Sequence, residues 1–105
     1  MIDMVGLYEE AYAPAYYEDA SWALRSRKFG VQHFVCPYAK VLHRHNESFS
    51  AIYKKKEISD ICRRNRKYLI RKHYSGLDKL IRLLTLNFLD LFKIIYDSIM
   101  ERTAK

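Results

Sequence analysis

Val31-Gln32-His33-Phe34-Val35-Cys36, then Pro37, then Lys40-Val41-Leu42-His43, is the stretch on which the fold class turns. Its β-branched and aromatic residues read as two short strands joined by a proline turn. Upstream, Glu18-Asp19 opens a helix, because acids at a helix start satisfy free backbone N–H groups and complement the dipole. Trp22, Ala23, Leu24 and Arg25 continue it, and Gly30 supplies the stop after Arg27 and Lys28. Residues 1–17 read as a loop with short extended pieces, punctuated by Gly6 and Pro14. Residues 44–50 read as loop.

Downstream, the pattern turns helical from about Ala51. Ile58, Ile61, Cys62, Asn65, Tyr68 and Leu69 recur at spacings of three and four, with lysines and arginines on the other faces. Ser75-Gly76 breaks this helix, and a last one runs from about Leu77 to Met100. Its most regular stripe is Leu80, Ile81, Leu84, Phe88, Leu91, Ile95 and Ile99. Asp78, Lys79, Arg82, Asp90, Lys93 and Asp97 interrupt it, whereas a membrane-spanning helix needs about 20 nearly uninterrupted apolar residues. Its wide apolar face either packs on the domain or lies on a membrane surface. The fold expected is therefore α+β and mostly helical. Residues 1–50 supply an acidic loop, a helix and two strands, and residues 51–105 two basic and amphipathic helices.

At 105 residues the chain is one small domain at most, with room for a modest core. Half the residues are apolar and only three are glycine, which marks a packed chain rather than a disordered one. The start is acidic and lacks the apolar core of a signal peptide. Cys36 and Cys62 lack metal-type spacing and read as two buried thiols, a disulfide staying open. Cys36 with His43 and His45 would fall one ligand short of a zinc site. The net charge of +7 is uneven: residues 1–24 hold five acids and no base, residues 25–75 fourteen bases against three acids. An acidic cluster beside a basic belt suits a cation handled together with a diphosphate. It equally suits a basic surface on anionic lipid or nucleic acid.

The ordered set of motifs narrows this. Val5-Gly6-Leu7-Tyr8-Glu9-Glu10 leads to Tyr16-Tyr17-Glu18-Asp19, then Arg25, Gly30, Pro37, Val41 and His43, then Arg64-Asn65-Arg66 and Lys72-His73. Over roughly residues 4–74 this resembles the acceptor-side portion of family 2 glycosyltransferases, rhamnosyltransferase-like members included. The resemblance implies a C-terminal fragment of the doubly wound GT-A fold. It implies inverting transfer of a hexosyl or rhamnosyl unit from a nucleotide sugar to a glycan or lipid-linked acceptor, in polysaccharide biosynthesis. Asp19 would be the base that takes the acceptor proton, a role open to a carboxylate at a helix mouth. Glu18, Tyr17 and Trp22 would hold the acceptor, and Arg64 and Arg66 would meet a diphosphate or a membrane. His43 would ligate the Mn²⁺ or Mg²⁺ of the complete enzyme, with His45 open as the ligand in another register.

The chain departs from that pattern in three places. Ser21 stands where the family commonly has a second acid, Trp22 where an aliphatic residue is usual, and no Asp-x-Asp metal motif occurs. The expectation is a chain inactive by itself, or completed by a donor-binding half. Taken singly, the acids also read as helix caps and the histidines as hydrogen-bonded strand residues. Two other classes stay open: a small membrane-surface or partner-binding helical protein, and a basic nucleic-acid-binding domain, the latter not preferred. The location that follows is cytoplasmic, peripheral on the inner face of the cell membrane.

Overall fold

The computed structural model describes residues 2–42 and 47–103. In chain order the elements are α1 (Ile2–Val5), a 3₁₀ turn (Glu10–Tyr12), α2 (Glu18–Lys28), α3 (Glu47–Ser50), α4 (Lys55–His73) and α5 (Gly76–Thr103). The chain divides into two compact units, 1–69 and 70–105, the division falling in the last turns of α4.

The α+β expectation is overturned: among the described residues there is no strand and no sheet, only helix and irregular chain. Residues 31–36 and 40–42, the described part of the two expected strands, carry strand-like composition, yet no ladder forms along them. A strand exists only when a neighbouring edge takes up its N–H and C=O groups. Here Phe34, Val35, Val41 and Leu42 are all at least 85 % exposed. The segment has side chains suited to a sheet and no sheet to join, so among the described residues no GT-A remnant is present. His43 lies outside the described residues. Two smaller corrections accompany this. The N-terminal segment contains α1 and the 3₁₀ turn rather than extended pieces, and residues 47–50 are helical rather than loop.

Local chemistry explains the helix ends. Beyond α2, Val31 N–H returns to the Ser26 carbonyl (3.2 Å) and Gly30 N–H to that of Arg27 (3.0 Å). This Schellman pair requires the left-handed φ of +78° that Gly30 adopts. At the start of α4, Glu57 reaches back to the Lys54 N–H at 2.7 Å, the acidic half of a capping box. Tyr74 N–H closes the C-terminal end of α4 on the Ile70 carbonyl (3.2 Å).

The first unit is organised around polar contacts as much as apolar ones. Val5, Tyr12 and Leu69 are buried, and so are Ser21, Ser26 and Asn65. The α4 stripe read from the sequence holds, with Asn65 and Leu69 buried and Ile58, Ile61 and Cys62 half-buried. In the second unit, α5 keeps most of its apolar side chains in solvent. Both cysteines are free. Cys36 is exposed, against the expectation of a buried thiol, while Cys62 is half-buried and burial pushes its thiol up.

Candidate functional site

The head of α2 is where the expected site residues meet. Three side chains of α2 tie it to the segment before it. Ser21 Oγ donates to Glu9 Oε1 (3.2 Å), Trp22 Nε1 donates to the Gly6 carbonyl (2.9 Å), and Arg25 Nη2 donates to the Leu7 carbonyl. Arg25 Nε also lies 3.4 Å from Glu9 Oε1. Ser21 is 1 % exposed, and its small hydroxyl fits that site beside Glu9, where a second carboxylate would meet repulsion. Gly6 takes φ +81°, which a side chain there would resist.

The 12–17 loop is held from the other side by α4. Asn65, with no exposed surface, donates from Nδ2 to the carbonyls of Tyr12 (2.7 Å), Ala15 (2.8 Å) and Tyr16 (3.0 Å). Its Oδ1 accepts from Arg64 Nε (3.0 Å), and Arg64 Nη2 donates to the Ala13 carbonyl. The Ala13–Pro14 peptide is cis. Tyr12 packs edge-on against Tyr68 with centroids 5.1 Å apart, and Tyr16 against Phe49 at 5.5 Å. The clamp matters because Tyr16 and Tyr17 both have φ +74°. For bulky residues that conformation costs about 1–2 kcal/mol each and persists only where the surroundings over-determine it.

These constraints shape a cavity of about 220 Å³ lined by Tyr8, Glu10, Tyr12, Pro14 and Glu18, among others. Glu18 is half-buried, and its Oε2 is enclosed with no hydrogen-bond partner. An enclosed carboxylate oxygen without a partner is an unmet acceptor, which a ligand hydroxyl meets when the Glu18 side chain turns toward the cavity. Asp19 is exposed, and its Oδ1 accepts the Ala20 N–H at 2.7 Å, at the helix mouth. Tyr17 is half-buried, and its carbonyl takes the first N–H of α2, from Ser21 at 2.9 Å. Trp22 faces a different, apolar cavity of about 210 Å³, which it lines with Ile2, Gly6, Leu7 and Tyr8. Its ring meets Tyr8 edge-on at 6.5 Å.

Of the expected acceptor residues, Glu18 alone lines this cavity; Tyr17 and Asp19 flank it in the chain, and Trp22 lines the neighbouring one. Arg64 serves the loop clamp, and Arg66 is exposed on α4. His43 and His45 are outside the described residues. Among those described, no group of three or more His, Cys, Asp or Glu converges as a cation site. Glu9 is engaged by Ser21 and Arg25.

Glu9 and Asn65 are the functional-site residues that composition and spacing did not single out. An amide in the middle of an otherwise apolar stripe was the available signal for Asn65. One further contact is structural: Ser26 Oγ donates to the Ala23 carbonyl (2.9 Å) and meets His33 Nε2 at 2.8 Å. Ser26 has no exposed surface, so this pair is a peg and not a nucleophile with its base. Comparison of the chain with protein-family models, with curated proteins and with solved structures gives no match.

Proposed function

We propose that residues 1–50 form the acceptor side of an inverting glycosyl-transfer site. The observation that carries this is the enclosed, unpartnered Glu18 oxygen beside a cavity at the mouth of α2. On this reading a saccharide acceptor enters the cavity and one of its hydroxyls donates to Glu18, which positions it. Asp19, next in the chain and open to solvent, takes the proton of the attacking hydroxyl. The acceptor oxygen then bonds to the anomeric carbon as the bond from that carbon to the diphosphate breaks. The electron pair leaves with the nucleoside diphosphate, and the configuration inverts. The nucleotide sugar, with its Mn²⁺ or Mg²⁺, is held by a donor-binding partner, and a rhamnosyl or other hexosyl unit suits the resemblance. The tyrosine-rich wall formed by Tyr8 and Tyr12 supports a sugar ligand, whose C–H faces pack on aromatic rings.

The test has two arms. Amide chemical shifts of the chain, titrated with saccharides, are expected to move at Tyr8, Glu10, Ala15 and Glu18, and Glu18→Gln to weaken that binding. In the chain reconstituted with a donor-binding partner, Asp19→Asn is expected to lower turnover by about 10²–10⁴ with acceptor binding kept. Unchanged turnover in Asp19→Asn refutes the base, and saccharide shifts absent at all four amides refute the site. A peripheral place on the inner face of the cell membrane fits this chemistry. No helix among the described residues is long and apolar enough to cross a membrane.

A further inference from the structure

The apolar arc of α5 is a surface that the sugar site leaves unused. At 100° per residue, Lys79, Arg82, Asp90, Lys93 and Asp97 fall within about 80° of the circumference. Asp78, at the margin of that sector, is paired with Arg82 at 2.9 Å, and the Arg82 guanidinium lies 4.1 Å over the Tyr74 ring. On the opposite side Leu77, Ile81, Leu84, Phe88, Leu91 and Ile95 are 49–70 % exposed. Leu86, on the charged side, is 5 % exposed. This helix shows to solvent the hydrocarbon that an amphipathic helix at a protein surface usually buries.

We infer that α5 lies in the plane of an anionic lipid bilayer with this arc among the acyl chains. Three features select lipid as the occupant. First, the arc spans roughly half the circumference. Exposed Leu80, Phe92 and Ile94 widen it beyond the narrow seam that two paired helices bury. Second, the hydroxyls at its flanks are already satisfied: Thr85 Oγ1 donates to the Ile81 carbonyl and Ser98 Oγ to that of Ile94, both at 2.8 Å. Side chains that return their hydrogen bonds to the helix's own backbone can enter hydrocarbon without stranding a donor. Third, the charge is complementary. The chain as a whole carries a net charge of +7. Basic side chains near the surface attract anionic headgroups across a Debye length. The same net charge of +7 makes two copies repel. The inference is independent of the sugar site and survives its loss.

The whole chain is incubated with vesicles of phosphatidylcholine, with and without phosphatidylglycerol, and sedimented. It is expected to sediment with the anionic vesicles and to be released by salt. Phe88→Asp with Leu91→Asp should lower the partition coefficient by roughly a hundredfold. Arg71→Gln should lower it about fivefold at low salt. In an otherwise unaltered chain, Phe88→Trp should give fluorescence quenched by brominated acyl chains beyond the quenching of Trp22, a readout that needs no disruptive variant. Failure to bind anionic vesicles, equal binding to both kinds, or absent quenching overturns the inference. So does a dimer in buffer that Phe88→Asp dissociates, which assigns the arc to a second copy.

Discussion

Asn65 and Phe88 each sit on the regular stripe of a long helix, and the structure treats them in opposite ways. Asn65, the polar one, has no exposed surface, while Phe88, the apolar one, is 62 % exposed. The difference lies in what covers each stripe. The α4 stripe faces a loop whose carbonyls at Tyr12, Ala15 and Tyr16 point at it, and such groups need a donor, not hydrocarbon. The α5 arc, Phe88 included, lies open to solvent. Helical periodicity announces a helix and the side that will be covered; it does not announce the chemistry of the cover.

The largest effect expected is at the covered polar position. Asn65→Ala removes the amide whose two N–H bonds serve three carbonyls, and it frees the loop that holds Tyr16 and Tyr17 at positive φ. Stranding buried carbonyls costs about 1–3 kcal/mol each, with partial relief by water, so a loss of about 3 kcal/mol is expected. The shift in urea midpoint at unchanged slope measures it. Asn65→Asp keeps the shape but offers no donor and turns a carboxylate toward carbonyls, so it should be at least as damaging. A shift under about 1 kcal/mol in both variants would show that the clamp does not govern the loop.

How much was legible follows the same line. The start of α2 at Glu18, its stop at Gly30 and the long helices α4 and α5 were readable, because capping and periodicity act over a few residues. The two strands were misread because β pairing is non-local: Val31 to Cys36 has the composition of a strand, but only a partner edge makes one. In the site, Glu18 and Asp19 at a helix mouth were legible. The cavity beside them was not, since it is framed by Arg64 and Asn65, about fifty residues away. Trp22 was placed with the acceptor by the resemblance, three residues after Asp19. Its indole is instead anchored to Gly6 and lines the neighbouring apolar cavity. Ser21, a departure from the resembled family, makes sense only once Glu9 is seen against it.

An intermediate effect is expected where purely local chemistry decides. A Cβ built on Gly30 meets nothing within 4 Å, so Gly30→Ala carries no packing term. What remains is the left-handed φ of +78°, worth about 1 kcal/mol for a residue with a side chain. Thermal unfolding should show a small, clean loss. A loss of the size expected at Asn65 would mean that the end of α2 bears on the cavity loop as well, and the contrast between local and distant constraints would fail.

The smallest effect belongs to the exposed stripe. Leu84→Ala in a core would cost about 2–5 kcal/mol. Here Leu84 is 58 % exposed and alanine is the better helix former, so stability in buffer should change by less than about 0.5 kcal/mol. The informative measurement repeats the unfolding curve with anionic vesicles present. A ligand that binds only the folded form adds stability that grows with the logarithm of its concentration over its dissociation constant, and Leu84→Ala should reduce that increment because it removes inserted hydrocarbon. Should Leu84→Ala instead cost several kcal/mol in buffer alone, α5 is covered by protein in solution. Asn65 and Phe88 would then no longer mark opposite kinds of surface.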